Sequence, residues 1–323
     1  MLENILYTLK KYNKFAIVSH LRMDGDAMGS MMGLTYVLHS MGKQVQPLTQ
    51  GLYPDNLRGL PGTQDIQDIY DGWKNSWYPE VLICVDSASR ERVCGAIDNL
   101  TKVQLVLNID HHVSNEFYGT ETYNWVESQA SSTGEMLIRL CYAGYLPIPP
   151  EAATHFYAAM ITDTGNFTYA NTTPEALQYA SNLLRLGVTP NKLVEEIYQS
   201  KTCNWLHLEG RVLSRVANYN DQIIWSYVPF NDFQETSTSP KDSGSLVSML
   251  TKIQEYQIIV LFIEQQPGQV KLSFRGRGTP DLSEIASKWE GGGGHPRAAG
   301  TTITGSLEDV MVEVIDFLKS LDM

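Results

Sequence analysis

Short apolar blocks recur in the first third of the chain: Phe15-Ala16-Ile17-Val18, Val81-Leu82-Ile83-Cys84-Val85 and Leu105-Val106-Leu107-Asn108-Ile109. Blocks of this length without polar alternation read as strands covered on both faces, the habit of parallel sheets. A further strand is expected at 45–49. Around these blocks the apolar positions take helical spacing, at 2–12 and from Gly29-Ser30 up to His39. The same spacing predicts helices at 131–145, opened by a capping-box pattern, and at 151–161 behind Pro149-Pro150. More helices are predicted at 174–186, 190–199 and 204–216. Beyond them the pattern changes. Strands are expected at 222–228, 257–263, 269–275 and 301–303, with helices at 281–290 and 307–321. The fold class is therefore α/β: an N-terminal domain over 1–190 with a mainly parallel sheet flanked by helices, a helical linker over 191–216, and a smaller C-terminal α/β domain over 217–323.

The residues at the ends of the apolar blocks sharpen the picture. The first block runs into His20, Asp24 and Asp26 on a strand-to-helix loop, where Gly25 permits a tight turn between the acids. The second ends at Asp86 and the third at Asp110-His111-His112. Side chains alternate along a strand, so the two histidines point different ways. The helix at 151–161 ends in Asp163, an acid opposed to the helix dipole unless a cation compensates it. Each stretch alone has a plainer reading as a turn, a cap or a surface loop. Three strand ends together favour a ligand site beyond the carboxyl edge of the sheet. Candidate ligands are His20, Asp24, Asp26, Asp86, His111 and Asp163. Two imidazoles and four carboxylates without a thiolate suit Mn²⁺, Mg²⁺ or Co²⁺ better than structural zinc. The set is too large for one ion with an open position and fits two ions sharing a carboxylate. Two such ions ~3.5–4 Å apart clamp the oxygens of an in-line phosphoryl displacement.

Composition narrows the classes. Of 323 residues, 43% are hydrophobic and 19% charged, ordinary values for a globular chain. No apolar run approaches the ~18 residues of a membrane span, and Met1-Leu2-Glu3-Asn4 is neither basic nor followed by a signal-type apolar core, so no signal peptide is expected. Cys84, Cys94, Cys141 and Cys203 show no paired spacing, so a reducing, cytoplasmic setting is expected. The net charge of −12 argues against coating long nucleic acid. Metals would let an acidic protein handle phosphates all the same.

The C-terminal region offers a second set. Ser273, Arg275 and Arg277 are spaced two apart, so a strand would put them on one face, and guanidiniums suit phosphate. The run from Gly291 to Gly294 gives a loop whose backbone can approach and donate to a ligand, with His295 beside it.

These residues carry a resemblance. His20-x3-Asp24-Gly25-Asp26-Ala27, Val85-Asp86, Asp110-His111-His112 with Asn115, and Asp163 resemble the ordered motifs of the DHH phosphoesterases. The stretch from Gly291 to Gly300 resembles the glycine-histidine motif of the DHH-associated C-terminal domain. The likeness covers nearly the whole chain and is nearest to the oligoribonuclease/phosphoadenosine-phosphate phosphatase group. One departure, Met23 where a proline commonly precedes the first aspartate, alters loop stiffness and not ligand identity. The resemblance implies two divalent ions, Mn²⁺ first. One would be held by His20, Asp24 and Asp86, the other by Asp26, Asp86, His111 and Asp163, with Asp86 shared. It implies that His112 acts on the scissile phosphate and that Asp110 orients a histidine. Substrate contacts would come from His112, Asn115, Ser273, Arg275, Arg277, Gly293, Gly294 and His295 across a cleft between the domains.

The expected activity is hydrolysis of very short oligonucleotides to mononucleotides, and of 3′-phosphoadenosine 5′-phosphate to AMP. The expected partner is a short oligonucleotide or nucleotide, not long nucleic acid or a membrane, with a homodimer left open. Alternatives are a linear or cyclic dinucleotide phosphodiesterase, an inorganic pyrophosphatase or exopolyphosphatase, and a non-catalytic RNA-binding module. The complete ligand set argues against the last.

Overall fold

A computed structural model of the chain describes residues 1–51, 53–69, 77–93, 103–277 and 280–321. Cys94 lies outside these. The chain divides into two compact units, Met1–Ser200 and Lys201–Met323.

The first unit contains α1 (Leu2–Lys11), β1 (Lys14–Val18), α2 (Gly25–Ser40), β2 (Gln44–Thr49), β3 (Gln67–Asp68), β4 (Val81–Val85), β5 (Leu105–Asp110) and β6 (Asn124–Val126), then α3 (Thr133–Gly144), α4 (Pro150–Asp163), α5 (Pro174–Arg185) and α6 (Pro190–Tyr198). Its six strands are ordered β3-β2-β1-β4-β5-β6, all parallel. Every residue of β4 is buried, as the unbroken apolar block predicts. Cys84 lies in this strand, where burial pushes its thiol up to about 12 and leaves it inert. Strand order reverses between β1 and β4, the place where open α/β sheets bind ligands. The register pairs Val18 with Cys84 and Val85 with Ile109, so the ends of β1, β4 and β5 lie side by side.

Helices α2 and α4 are antiparallel and unusually close. A Cβ at Gly25 would lie 2.3 Å from the Thr162 side chain, one at Gly29 2.4 Å from the His155 carbonyl, and one at Gly33 2.4 Å from the Phe156 ring. Gly25 is therefore the first residue of a helix that needs close approach, not the pivot of a turn, and its φ is not positive. This spacing brings the start of α2, with Asp24 and Asp26, to the end of α4, with Asp163. Gly29→Ala is expected to lower stability by about 1–3 kcal/mol, because the added methyl meets a backbone carbonyl that cannot rotate away. Thermal unfolding checks this, and an unchanged midpoint would show that the two helices part without strain.

The second unit contains α7 (Cys203–Ser214), β7 (Ala217–Tyr219), β8 (Ile223–Val228), α8 (Phe230–Glu235), α9 (Val247–Leu250), β9 (Ile258–Gln266), β10 (Gln269–Gly276), α10 (Leu282–Ala286), β11 (Gly293–His295), β12 (Ala298–Thr304) and α11 (Leu307–Lys319). Its sheet is mixed, ordered β11-β12-β10-β9-β8-β7, with only β8 and β9 parallel. One face packs Leu272, Phe274 and Ala299 with residues of α10 and α11, and the other packs Ile259, Leu261 and Ile263 with residues of α7 and α9. The stretch expected as a linker at 191–216 is shared between the units. Leu193 and Ile197 of α6 join the first core, while Trp205, Leu208 and Val212 of α7 join a core of the second.

Two other expectations change. The helix expected at 281–290 stops at Ala286, where the chain tightens into turns closed by Lys288 N–H on the Ile285 carbonyl and Trp289 N–H on the Ala286 carbonyl. The glycine run is not all loop: Gly293 to His295 form β11, paired with Ala298 to Gly300. Among the described residues, no helix is long and apolar enough to cross a membrane.

Candidate active site

Five elements of the first unit deliver the cluster: β1, α2, β4, α4 and β5, which His111 follows. His20 follows β1, Asp24 is the N-cap of α2 and accepts from the Ala27 N–H at 3.0 Å, and Asp163 closes α4. Asp86 follows β4 with a φ of 53°, a left-handed conformation that aspartate tolerates better than most residues. Its N–H donates to the Ile109 carbonyl at 2.9 Å. The next carbonyl, of Ser87, accepts from the Asn108 amide at 3.2 Å, the Asn115 amide at 3.2 Å and the Tyr118 hydroxyl at 3.1 Å. Three donors on one oxygen hold this turn in place.

Asp86 is the centre of the cluster. Its Oδ2 lies 3.7 Å from His20 Nε2, which is also 3.7 Å from Asp24 Oδ2. Its Oδ1 lies 3.7 Å from His111 Nε2, which is 3.7 Å from Asp26 Oδ2 and 3.8 Å from Asp163 Oδ2. These separations exceed a hydrogen bond and leave room for an ion between the donors. Two groups able to hold a metal result, His20/Asp24/Asp86 and Asp26/His111/Asp163; a third combination is Asp86/His111/His112.

The histidines divide by how their Nδ1 is engaged. His20 Nδ1 meets the Leu21 carbonyl at 2.6 Å and His111 Nδ1 the Ala130 carbonyl at 3.3 Å. A proton on Nδ1 leaves Nε2 with a lone pair toward the carboxylates, the arrangement of metal-binding imidazoles. His112 differs. Its Nδ1 bonds Asp110 Oδ1 at 2.7 Å, while Asp110 Oδ2 accepts from the Asn115 amide at 2.6 Å. Asn115, expected to meet substrate, is buried and its side chain is fully engaged, the Oδ1 accepting from the Phe117 N–H at 2.7 Å. It ties the Asp86 turn to the Asp110–His112 pair.

Charge is concentrated here. Burial first, and then neighbouring carboxylates, hold Asp26 and Asp86 well above the usual carboxylate range. Burial also raises Asp163, against the pull of His111. For His112 the hydrogen bond that its Nδ1–H donates to Asp110 dominates and raises the imidazole. For Asp110 burial works upward, but the bonds to His112 and Asn115 outweigh it and hold the carboxyl below its usual range. Buried acids crowded at this spacing are unfavourable unless cations neutralise them, so the donor set fits divalent ions.

One helix start and one amide stabilise the acids, and sequence reasoning missed both. At the start of α3 the Thr133 and Gly134 N–H groups donate to Asp26 Oδ2 at 2.8 Å and Oδ1 at 3.0 Å. Ser132 caps the same helix through Glu135 N–H at 3.0 Å. Ser131-Ser132-Thr133-Gly134-Glu135 had been legible only as a cap, although a helix N-terminus is also an anion seat. At the end of α4 the Asn171 amide donates to Asp163 Oδ2 at 3.1 Å.

In the second unit the ladder places two rows on one sheet face. Arg275 pairs with Ala298 and Ala298 with His295; Ser273 pairs with Gly300 and Gly300 with Gly293. Directly paired residues share a face, so Arg275, His295, Ser273 and Gly293 surround a floor of Ala298 and Gly300. A Cβ at Gly293 would meet nothing within 4 Å, so packing does not require its glycine. Gly294, by contrast, has a φ of 144° and its Cβ would lie 2.6 Å from the Ala298 carbonyl. Arg277 does not continue the row. Strand β10 ends at Gly276, and the Arg277 guanidinium donates to the Thr251 carbonyl at 2.6 Å.

Residues 14–160 match the DHH family, N-terminal domain, and residues 220–321 match the DHHA1 domain. The chain is 32% identical over 305 residues to the bifunctional oligoribonuclease and PAP phosphatase NrnA of Thermus thermophilus, covering 94% of this chain and 88% of that one. It is 28% identical over 307 residues to the protein of the same name from Bacillus subtilis, covering 94% and 93%. The crystal structure of an exopolyphosphatase-related protein from Bacteroides fragilis superposes with a TM-score of 0.87 at 27% identity, over 98% of this chain and 94% of that one.

Proposed function

This chain belongs to the DHH family, and we propose that it is a metal-dependent phosphoesterase that hydrolyses very short oligonucleotides to mononucleotides and 3′-phosphoadenosine 5′-phosphate to AMP. The single observation that carries the reading is Asp86, whose two carboxylate oxygens face two different imidazoles. One divalent ion, Mn²⁺ in the first instance, is held by His20, Asp24 and Asp86. A second is held by Asp26, Asp86, His111 and Asp163. When bound, the ions supply an activated water and charge neutralisation for phosphoryl transfer.

The chain's own groups do the rest. Asp110 fixes the His112 ring through Nδ1, so Nε2 serves the scissile phosphate as hydrogen-bond donor or acid. Gly293 lets the phosphate or sugar approach β11 closely. Arg275 and His295 bind the nucleotide, Arg275 with partial burial working against its charge and so sharpening its demand for an anion. The names carried by the Thermus and Bacillus relatives support the nucleotide substrates. The name of the Bacteroides relative makes polyphosphate the second reading.

A substrate panel with purified protein and Mn²⁺ tests both. Dinucleotides and 3′-phosphoadenosine 5′-phosphate are expected to be cleaved fastest, with rates falling as RNA lengthens; faster hydrolysis of pyrophosphate or polyphosphate would favour the second reading. On the same panel, Arg275→Ala and His295→Ala are expected to lower kcat/KM for a dinucleotide by ~1–3 kcal/mol, the range for a hydrogen bond to a charged group. A small chromogenic phosphodiester is expected to be cleaved as before. Equal losses on both substrates would remove the binding role from these two residues.

A further inference from the structure

The first turn of α3 touches two carboxylates of the cluster at once. The Thr133 N–H reaches Asp26, and the Thr133 hydroxyl donates to Asp86 Oδ1 at 3.0 Å. Thr133 is fully buried. Its hydroxyl is not needed by the helix, because Ser132 already provides the cap. Among the described residues it is the one group that hydrogen-bonds the Asp86 carboxylate, since His20, His111 and His112 all stand 3.7 Å away, beyond hydrogen-bond distance.

That carboxylate needs an external constraint. The terminal torsion of an aspartate is broad, and the left-handed backbone at Asp86 fixes where the side chain starts but not its roll. We propose that Thr133 is a positioning residue whose hydroxyl sets the roll of the Asp86 carboxylate, so that Oδ1 is kept toward His111 and Oδ2 toward His20. The same residue seats Asp26 through its backbone, so one turn of helix registers the two acids of neighbouring metal groups against each other. Without the hydroxyl the carboxylate is free to roll its oxygens out of the line between the two imidazoles, and the metal groups lose their shared ligand. This inference rests on the two-metal reading above.

Two substitutions separate the hydroxyl from the rest of the residue. Thr133→Val keeps the shape and the N–H to Asp26 and removes only the hydroxyl. Thr133→Ser keeps the hydroxyl and removes the methyl. Calorimetric titration of each metal-free protein with Mn²⁺ reads the metal directly, and steady-state kinetics on a dinucleotide read its use. For Thr133→Val we expect the weaker of the two ions to bind about 10–100-fold less tightly, the range for partners that orient a ligand. Its kcat is expected to fall with an unchanged KM. Thr133→Ser is expected to behave as wild type in both measurements. Wild-type titration by Thr133→Val would overturn the proposal. So would equal losses in Thr133→Ser and Thr133→Val, which would assign the effect to packing of the methyl. If Thr133→Val does not fold, Thr133→Ala is measured in its place against the same two outcomes. Wild-type protein that takes up no divalent ion would overturn the two-metal reading itself, before any variant is compared.

Discussion

Asp86→Asn is expected to lose turnover on every substrate by at least about 100-fold, beyond the 10–100-fold that orienting partners of a metal ligand are worth. Asparagine is the informative substitution. It has the same shape, tolerates the left-handed backbone at this position, and keeps one oxygen to accept from Thr133. What it lacks is the second oxygen and the negative charge. Because Oδ1 and Oδ2 face different imidazoles, the loss falls on both metal groups at once. Metal analysis of the purified variant is expected to show both ions depleted, with circular dichroism unchanged. Turnover near the wild-type value would remove Asp86 from the chemistry, and full depletion of one ion alone would show that it is not shared.

His112→Ala is expected to separate chemistry from metal content. Loss of a positioned acid or base typically lowers turnover about 10²–10⁴-fold. The ring's Nδ1 is held by Asp110, whereas His20 and His111 use Nδ1 on backbone carbonyls and face the carboxylates with Nε2. Metal content should therefore stay near wild type while kcat collapses. The competing geometry is specific: His112 Nδ1 also lies 3.7 Å from Asp86 Oδ1. If metal is lost together with turnover, that contact is a ligand contact and the roles of the two adjacent histidines are exchanged.

The parts of the site carried by strand ends were legible because an unbroken apolar block can be a buried parallel strand, and the sheet's carboxyl edge then follows from topology. His20, Asp86 and His111 are of this kind. Residues whose meaning depends on a distant partner were not legible. Gly29 looks like any helix glycine until the His155 carbonyl is beside it. Thr133 looks like part of a cap until Asp86 and Asp26 are placed against it. Asn115 is expected to meet substrate because it sits within the motif, and local spacing cannot reveal that Ser87 and Asp110 take up its amide. Arg277 shows the limit of alternation: its parity with Arg275 was right, and the strand ended one residue too soon. Strands β6 and β7, three residues each, are too short for any periodicity to announce.

The strand order also shapes how the protein can be made. β1 lies between β2, which follows it closely, and β4, which begins at Val81. On a ribosome adding about 5–20 residues per second, one edge of β1 waits for several seconds before its partner exists. Lys14 aside, that strand is wholly buried in the finished protein, so during synthesis it presents an unpaired apolar edge of the sort that pairs with neighbouring chains. A holdase chaperone, or slow translation placed after residue 85 and not before it, would guard this interval. Co-expression of such a chaperone should then improve recovery of the intact protein more than any change made at the metal cluster.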